Sequence, residues 1–200
     1  MRYICVYCGS KAGTDPHYLQ VASRMGQLLA EQGYGLVYGG GHVGLMGIIA
    51  EAVLAAGGRV IGVIPEAMVG RELAYKQVTQ LEIVPSMHER KTRMASLADA
   101  FIAMPGGYGT LEELFEIITW AQLGIHAKPI GILNVSGYFD ALAAMIEHAV
   151  REGFIQVDHR HFWILRSDPA ALLEALWQHD MPPVHPWPRR GVQGELSELI

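Results

Sequence analysis

The chain has 200 residues, half of them hydrophobic and 18% charged, which supports one domain with a sizeable core and excludes a disordered or fibrous chain. Fifteen basic residues against twenty acidic ones leave a formal charge of −5, so the basic excess of a nucleic-acid binder is missing. The longest uncharged stretch, 32–50, is broken by glycines from Gly33 to Gly47 and makes a poor membrane-spanning helix. The N-terminus carries no apolar leader with a cleavage site. The expectation is a soluble cytoplasmic protein with neither membrane nor nucleic acid as partner.

Short β-rich runs alternate with longer helical stretches. Strands are predicted at 2–8, 34–38, 59–64, 80–84, 100–104, 130–134 and 161–165, and helices at 16–32, 44–57, 86–98, 110–124, 138–152 and 169–178. Alternation of this kind predicts parallel βαβ units. Runs such as Ala100-Phe101-Ile102-Ala103-Met104 are apolar on both faces and belong in a sheet covered by helices on both sides. The predicted fold is therefore α/β, an open parallel sheet with helices on both faces.

The first run holds both cysteines, Cys5 and Cys8. Their Cys-x-x-Cys spacing matches a redox pair, but residues three apart in a strand point to opposite faces. Two buried thiols without a disulfide are expected. At the other end, 181–190 is too rich in proline for a helix or a central strand. The chain thus divides into one domain, 1–180, and an extended or partly disordered tail, 181–200.

Three predicted strands run into glycine-rich turns: Cys8-Gly9-Ser10, Tyr38-Gly39-Gly40-Gly41 and Pro105-Gly106-Gly107-Tyr108-Gly109-Thr110. Ligands of open parallel sheets bind outside the carboxyl ends of the strands, where helix N-termini offer amides to a phosphate. One such turn serves equally as a tight βα connection; three together point to a nucleotide-like ligand. The second turn also spells a dinucleotide fingerprint, Gly39-x-Gly41-x-x-Gly44, with Glu66 where a ribose-binding acid would stand. A nicotinamide- or flavin-dependent oxidoreductase is therefore one alternative, although this motif follows the second strand and leaves the third turn without a role.

Thr110-Leu111-Glu112-Glu113 matches a capping box, with Thr110 as N-cap and Glu113 at the third helical position. In one reading Glu113 is a cap in a non-catalytic nucleotide-binding protein; in the other it presents a carboxylate to the pocket. A second capping box, Ser86-Met87-His88-Glu89, is followed by Arg90, Lys91 and Arg93. Cations at a helix N-terminus oppose the macrodipole unless an anion lies close by. Arg90 and Lys91 are assigned to a ligand on that ground, and Arg93 to a solvated face. His159-x-His161 lacks carboxylate or cysteine company, and no metal site is expected there.

Ser86-Met87-His88-Glu89-Arg90-Lys91 and Pro105-Gly106-Gly107-Tyr108-Gly109-Thr110-Leu111-Glu112-Glu113 resemble the two signatures of the LONELY GUY (LOG) family. Its members are cytokinin-activating nucleoside 5′-monophosphate phosphoribohydrolases, often mislabelled as lysine decarboxylases. The resemblance runs from about Tyr3 to Trp177 and includes Thr119-Trp120-Ala121-Gln122-Leu123-Gly124. It implies a Rossmann-like fold, a homodimer and an AMP-like 5′-monophosphate ligand, without metal or cofactor. Arg90 and Glu113 correspond to the family's catalytic pair. Glu72, Lys91, the loop from Gly107 through Tyr108, Gly109, Thr110 and Leu111 to Glu112, and Thr119 correspond to substrate-binding positions. Gly9, Ser10, Gly40, Gly41 and Gly106 of the glycine turns, with Met87 of the first signature, complete the candidate site. Lys11 departs from the family, standing where a small hydroxyl residue is common, and bears on base preference.

The reaction implied is hydrolysis of the N-glycosidic bond in cytokinin riboside 5′-monophosphate or an AMP-like nucleotide, giving free base and ribose 5-phosphate. Bond cleavage builds positive charge on the ribose, which Glu113 can stabilise while orienting or deprotonating water. Arg90 keeps its proton near neutrality, so its role is electrostatic. Leu114, Phe115, Ile117, Ile118, Trp120, Ala121 and Leu123 spread around the 110–124 helix, which then needs cover on two sides. A two-fold partner through helices beside the site is the expected cover.

Overall fold

Among the described residues, 1–70 and 74–184, seven apolar runs of the computed structural model pair into one parallel sheet. The strands are β1 (Tyr3–Tyr7), β2 (Gly35–Tyr38), β3 (Val60–Pro65), β4 (Gln80–Val84), β5 (Ala100–Ala103), β6 (Ile130–Leu133) and β7 (Ile164–Arg166). Their order is β4-β3-β2-β1-β5-β6-β7. Every residue of β2, β3, β5 and β6 is buried, as expected of strands covered on both faces.

Six helices among the described residues supply the cover: α1 (His17–Glu31), α2 (Gly44–Ala55), α3 (Met87–Leu97), α4 (Tyr108–Gln122), α5 (Asp140–Arg151) and α6 (Pro169–Gln178). Strand residues alternate between two cores. Ile4, Val6, Leu36 and Ile102 pack with Met25 and Leu29 of α1, Ile49 of α2 and Leu172 of α6. Cys5, Tyr7, Val37 and Phe101 pack with Met94 of α3 and Leu114, Ile117 and Ala121 of α4. The chain leaves β1 towards β2 and leaves β5 towards β6, on the opposite side. β1 and β5 are hydrogen-bonded neighbours (Cys5 opposite Phe101), so the connections diverge at the β1/β5 boundary, where a ligand crevice forms in sheets of this kind.

Cys5 and Cys8 fall into opposite cores, both buried and free, as the strand geometry predicts. Burial pushes both thiols far above the ordinary range, so neither is a nucleophile near neutrality. Most boundaries shift by one or two residues, and two of the shifts have a visible cause. β7 begins at Ile164 rather than 161, because Val157–His161 close into a 3-10 turn. The fifth helix begins at Asp140, since Val135–Gly137 form a similar turn ahead of it. The tail is not detached at its start: Met181 and Val184 pack against the α4 side of the core. Residues 185–200 lie outside the described residues. No described helix is long and apolar enough to cross a membrane.

His126 ties the end of α4 to the sheet. Its Nε2 lies 2.9 Å from the Ile117 carbonyl, and the Lys128 amide donates to Nδ1 at 3.1 Å. Both contacts suit the neutral ring protonated on Nε2. Burial lowers the imidazole pKa; the Ile117 carbonyl works against this shift and the Lys128 charge adds to it. A folded value below the unfolded 6.5 means that stability is complete above that pH and is lost as pH falls towards the folded value. Thermal melting between about pH 7.5 and 5.5 should therefore fall more steeply for the native chain than for His126→Gln, and equal slopes would rule out this role.

Candidate functional site

The turns after β1, β2 and β5 meet at the carboxyl edge of the sheet. The Gly9 amide donates to the Pro105 carbonyl at 3.0 Å, and the Leu45 amide of α2 donates to the Gly9 carbonyl at 3.0 Å. A Cβ on Gly106 would stand 2.1 Å from Thr110 Oγ1 and 2.8 Å from the Gly9 nitrogen. Gly44, at φ +58°, leaves only 2.4 Å between an added Cβ and the Ser10 carbonyl carbon. Backbone thus packs on backbone, and a crevice of about 310 Å³ opens beside it. Gly9, Ser10, Lys11, Leu45, Gly106 and Gly107 line it, and Tyr18 and Tyr138 wall one side.

Helix α4 rises from this crevice with Gly107, not Thr110, as its N-cap. The capping box predicted at Thr110 is therefore not formed. The Leu111 amide already donates to the Gly107 carbonyl at 3.1 Å, and Thr110 lies buried in the first turn against Gly106. Glu113 consequently sits a turn deeper in the helix and does not cap it. The amides of the first turn have no partner inside the helix and form its positive end at the crevice mouth.

In α3 the Ser86 hydroxyl caps the helix, accepting from the Glu89 amide at 3.2 Å. Arg90, only 5% exposed, runs inward. Its Nη2 donates to the Gly39 carbonyl at 3.2 Å and its Nη1 approaches Met87 Sδ at 3.5 Å. A Cβ on Gly39 would lie 1.9 Å from Nη2, so the first fingerprint glycine serves the protein's own guanidinium. The Leu45 amide at the start of α2 is bonded to Gly9, so this N–H is not offered to a pyrophosphate. Gly40 accepts from the Tyr75 amide at 2.9 Å and Gly41 bridges to Ala74, so this turn carries the 74–75 segment.

Glu113 is half-buried, and its charge bears on Cys8 and Tyr7 as well as Cys5. Burial dominates the raised Cys5 pKa; Tyr7 eases it by a hydrogen bond, Glu113 adds to it and Arg90 relieves it. The carboxylate and the guanidinium therefore act with opposite sign on Cys5 of β1. Beside them, Lys91 Nζ contacts Glu112 Oε1 at 2.5 Å and Glu116 Oε1 at 3.0 Å. Burial alone would lower the ammonium pKa, but the two carboxylates reverse this and raise it. Lys91 and Glu112, both substrate-binding candidates, thus engage each other and brace α3 against α4. Arg93 pairs with Glu82 on β4 at 2.6 Å, in keeping with a surface role.

One candidate stands apart from the crevice among the described residues. Thr119 is exposed, donates to the Phe115 carbonyl at 2.7 Å, and lies ~16 Å along α4 from Tyr108. Glu72 falls outside the described residues. Sequence reasoning missed Glu116, Tyr18 and Tyr138. Glu116 carried a signal, being four positions from Glu112 on one helix face. The tyrosines carried none beyond their places after the first and sixth strands. His161 Nε2 accepts from Arg160 Nε at 3.2 Å, and no group of three or more His, Cys, Asp or Glu among the described residues is arranged to hold a metal ion.

A family model described as possible lysine decarboxylase matches residues 46–176. A protein of Oryza sativa subsp. japonica named cytokinin riboside 5′-monophosphate phosphoribohydrolase LOG is 54% identical over 85% of this chain and 69% of its own length. An Arabidopsis thaliana protein of the same enzyme name is 53% identical over 84% of this chain and 78% of its own. Among solved structures, the molybdenum cofactor carrier protein of Chlamydomonas reinhardtii matches 88% of this chain and 96% of its own with a TM-score of 0.68. At 22% identity that likeness is one of fold.

The close seat of Arg90 sets a test of the geometry. Gly39→Ala forces the buried guanidinium off the Gly39 carbonyl and should cost about 1–3 kcal/mol in denaturant unfolding. Gly70→Ala, outside the helices and strands and with no atom within 4 Å of the added Cβ, should change stability by less than about 0.5 kcal/mol. Equal effects at the two positions would contradict the packing described.

Proposed function

The chain belongs to the LOG family of cytokinin riboside 5′-monophosphate phosphoribohydrolases, and we propose from that premise that it releases the free base from a purine-type nucleoside 5′-monophosphate, AMP among them, leaving ribose 5-phosphate. The observation that carries this reading is the buried Arg90 guanidinium seated on the Gly39 carbonyl and the half-buried Glu113 carboxylate of α4, beside glycine turns that open on the crevice. The first-turn amides of α4, from Gly107 to Thr110, receive the 5′-phosphate. Glu113 faces the cation that develops on the ribose and orients the attacking water. Arg90, held on Gly39, supplies a fixed positive charge towards ribose or phosphate oxygens and the departing base. It donates no proton, because a guanidinium remains charged at working pH.

Glu113→Gln keeps the size of the side chain and removes its charge. Turnover of AMP or isopentenyladenosine monophosphate, followed as free base, should drop at least ~100-fold with the fold intact. Native turnover in the variant would reduce Glu113 to a structural residue and favour a binding protein without catalysis.

The assembly proposed is a homodimer through α4. Leu114, Ile117 and Ala121 face the sheet, while Phe115 and Leu123 on the outer side remain 37% and 47% exposed. Val184 of the same chain reaches the end of this helix at Gly124 but leaves those two side chains open. A second copy packed along α4 would cover them, and would let its Thr119 approach a site that its own chain does not bring it to. Light scattering of the full chain should give twice 21.9 kDa, and Phe115→Glu should shift it towards monomer. A native mass of 21.9 kDa at micromolar concentration sinks the dimer.

A further inference from the structure

The segment joining β6 to α5 crosses the carboxyl edge of the sheet and reaches the glycine turn of another unit. Its ends are fixed: Asn134 Nδ2 donates to Asp140 Oδ1 at 2.7 Å, and the Phe139 amide donates to Asn134 Oδ1 at 2.7 Å. Between them Ser136 stands at φ +51°, the one non-glycine residue with positive φ among the described residues. Gly137 follows at φ +72°, where an added Cβ would lie 2.6 Å from Asp140 Oδ2. The Ser136 hydroxyl donates to Asp15 Oδ2 at 3.3 Å, so the strap also touches the loop after β1.

This conformation delivers Tyr138 to the crevice. Its ring packs edge-on against Tyr18, with centroids 6.0 Å apart, and its hydroxyl donates to the Gly106 carbonyl. The carbonyl of Gly106 and the amide of Gly107 belong to one planar trans peptide and point in opposite directions. Pinning the carbonyl from the strap side therefore aims the Gly107 N–H, at the N-cap of α4, away from the strap. A non-glycine residue held in the left-handed region persists where its surroundings over-determine it, and such residues gather at ligand sites.

We propose that Tyr138 is a positioning residue for the 5′-phosphate: through its hydroxyl bond to Gly106 it holds the Gly106–Gly107 peptide in the orientation that receives the anion. The proposal rests on the reading of α4's first turn as the phosphate site, and it adds a residue from a fourth sheet connection, β6 to α5, to that site. Tyr138 touches neither the ribose nor the scissile bond in this arrangement, so it acts on ligand affinity and not on the chemical step.

The test uses the full chain, native and Tyr138→Phe, with AMP and adenosine in calorimetry and AMP in steady-state kinetics. The variant keeps the ring against Tyr18 and loses only the hydroxyl. Expected are an increase of about tenfold in Kd and KM for AMP, kcat within about twofold, and unchanged affinity for adenosine at an unchanged melting temperature. Native AMP affinity in the variant overturns the proposal. So does equal weakening of AMP and adenosine with a lowered melting temperature, which is the signature of a purely structural bond. A native chain that does not prefer AMP to adenosine overturns the phosphate reading itself, and this proposal with it.

Discussion

Backbone approaches backbone at the meeting of the β1, β2 and β5 turns so closely that no side chain fits. An added Cβ at Gly44 would come 2.4 Å from the Ser10 carbonyl carbon, and one at Gly106 2.8 Å from the Gly9 nitrogen. Three consequences follow from that contact. The Gly9–Pro105 and Leu45–Gly9 hydrogen bonds join connections that diverge from the sheet. The start of α4 is drawn back to Gly107, leaving its first amides at the crevice. A guanidinium finds a carbonyl seat over Gly39 that any larger residue would close.

Charge is arranged around this frame so that little of it is left to relax. Lys91 lies between Glu112 and Glu116, and the pair of carboxylates outweighs the cost of burying its ammonium. The adjacent residues on the same two helices are Arg90 and Glu113. Bracing α3 against α4 through Lys91 therefore fixes the two helices that carry the guanidinium and the carboxylate. A charge that is already oriented needs no reorganisation when new charge appears beside it, which makes fixed charges effective in a partly dry site.

The sheet was legible in the sequence because its strands are covered on both faces and appear as uninterrupted apolar runs bounded by glycine. The helices were legible from their length between those runs. Thr110 misled because the capping-box pattern is local, whereas its side chain is held by Gly106 on the preceding turn. The start of β7 was misplaced because Val157–His161 are polar enough for a turn yet end against a buried Phe162. Within the site, Arg90 and Glu113 stood out through their signatures. Tyr138 did not, since its partner Gly106 is 32 residues away and only the order of strands brings them together.

The pairing of β1 with β5 also governs how the molecule is made. Ile4 pairs with Ala100, so the centre of the sheet joins segments separated by nearly half the chain. During synthesis the first strand can acquire β2 early, but its other edge stays open until the fifth strand has left the ribosome. Loop closure over such a distance places this protein among slow-folding topologies with a high contact order. The crevice lies on that last seam. A nascent or partly opened chain therefore has no partial version of the site, and ligand affinity reports on completion of the central sheet.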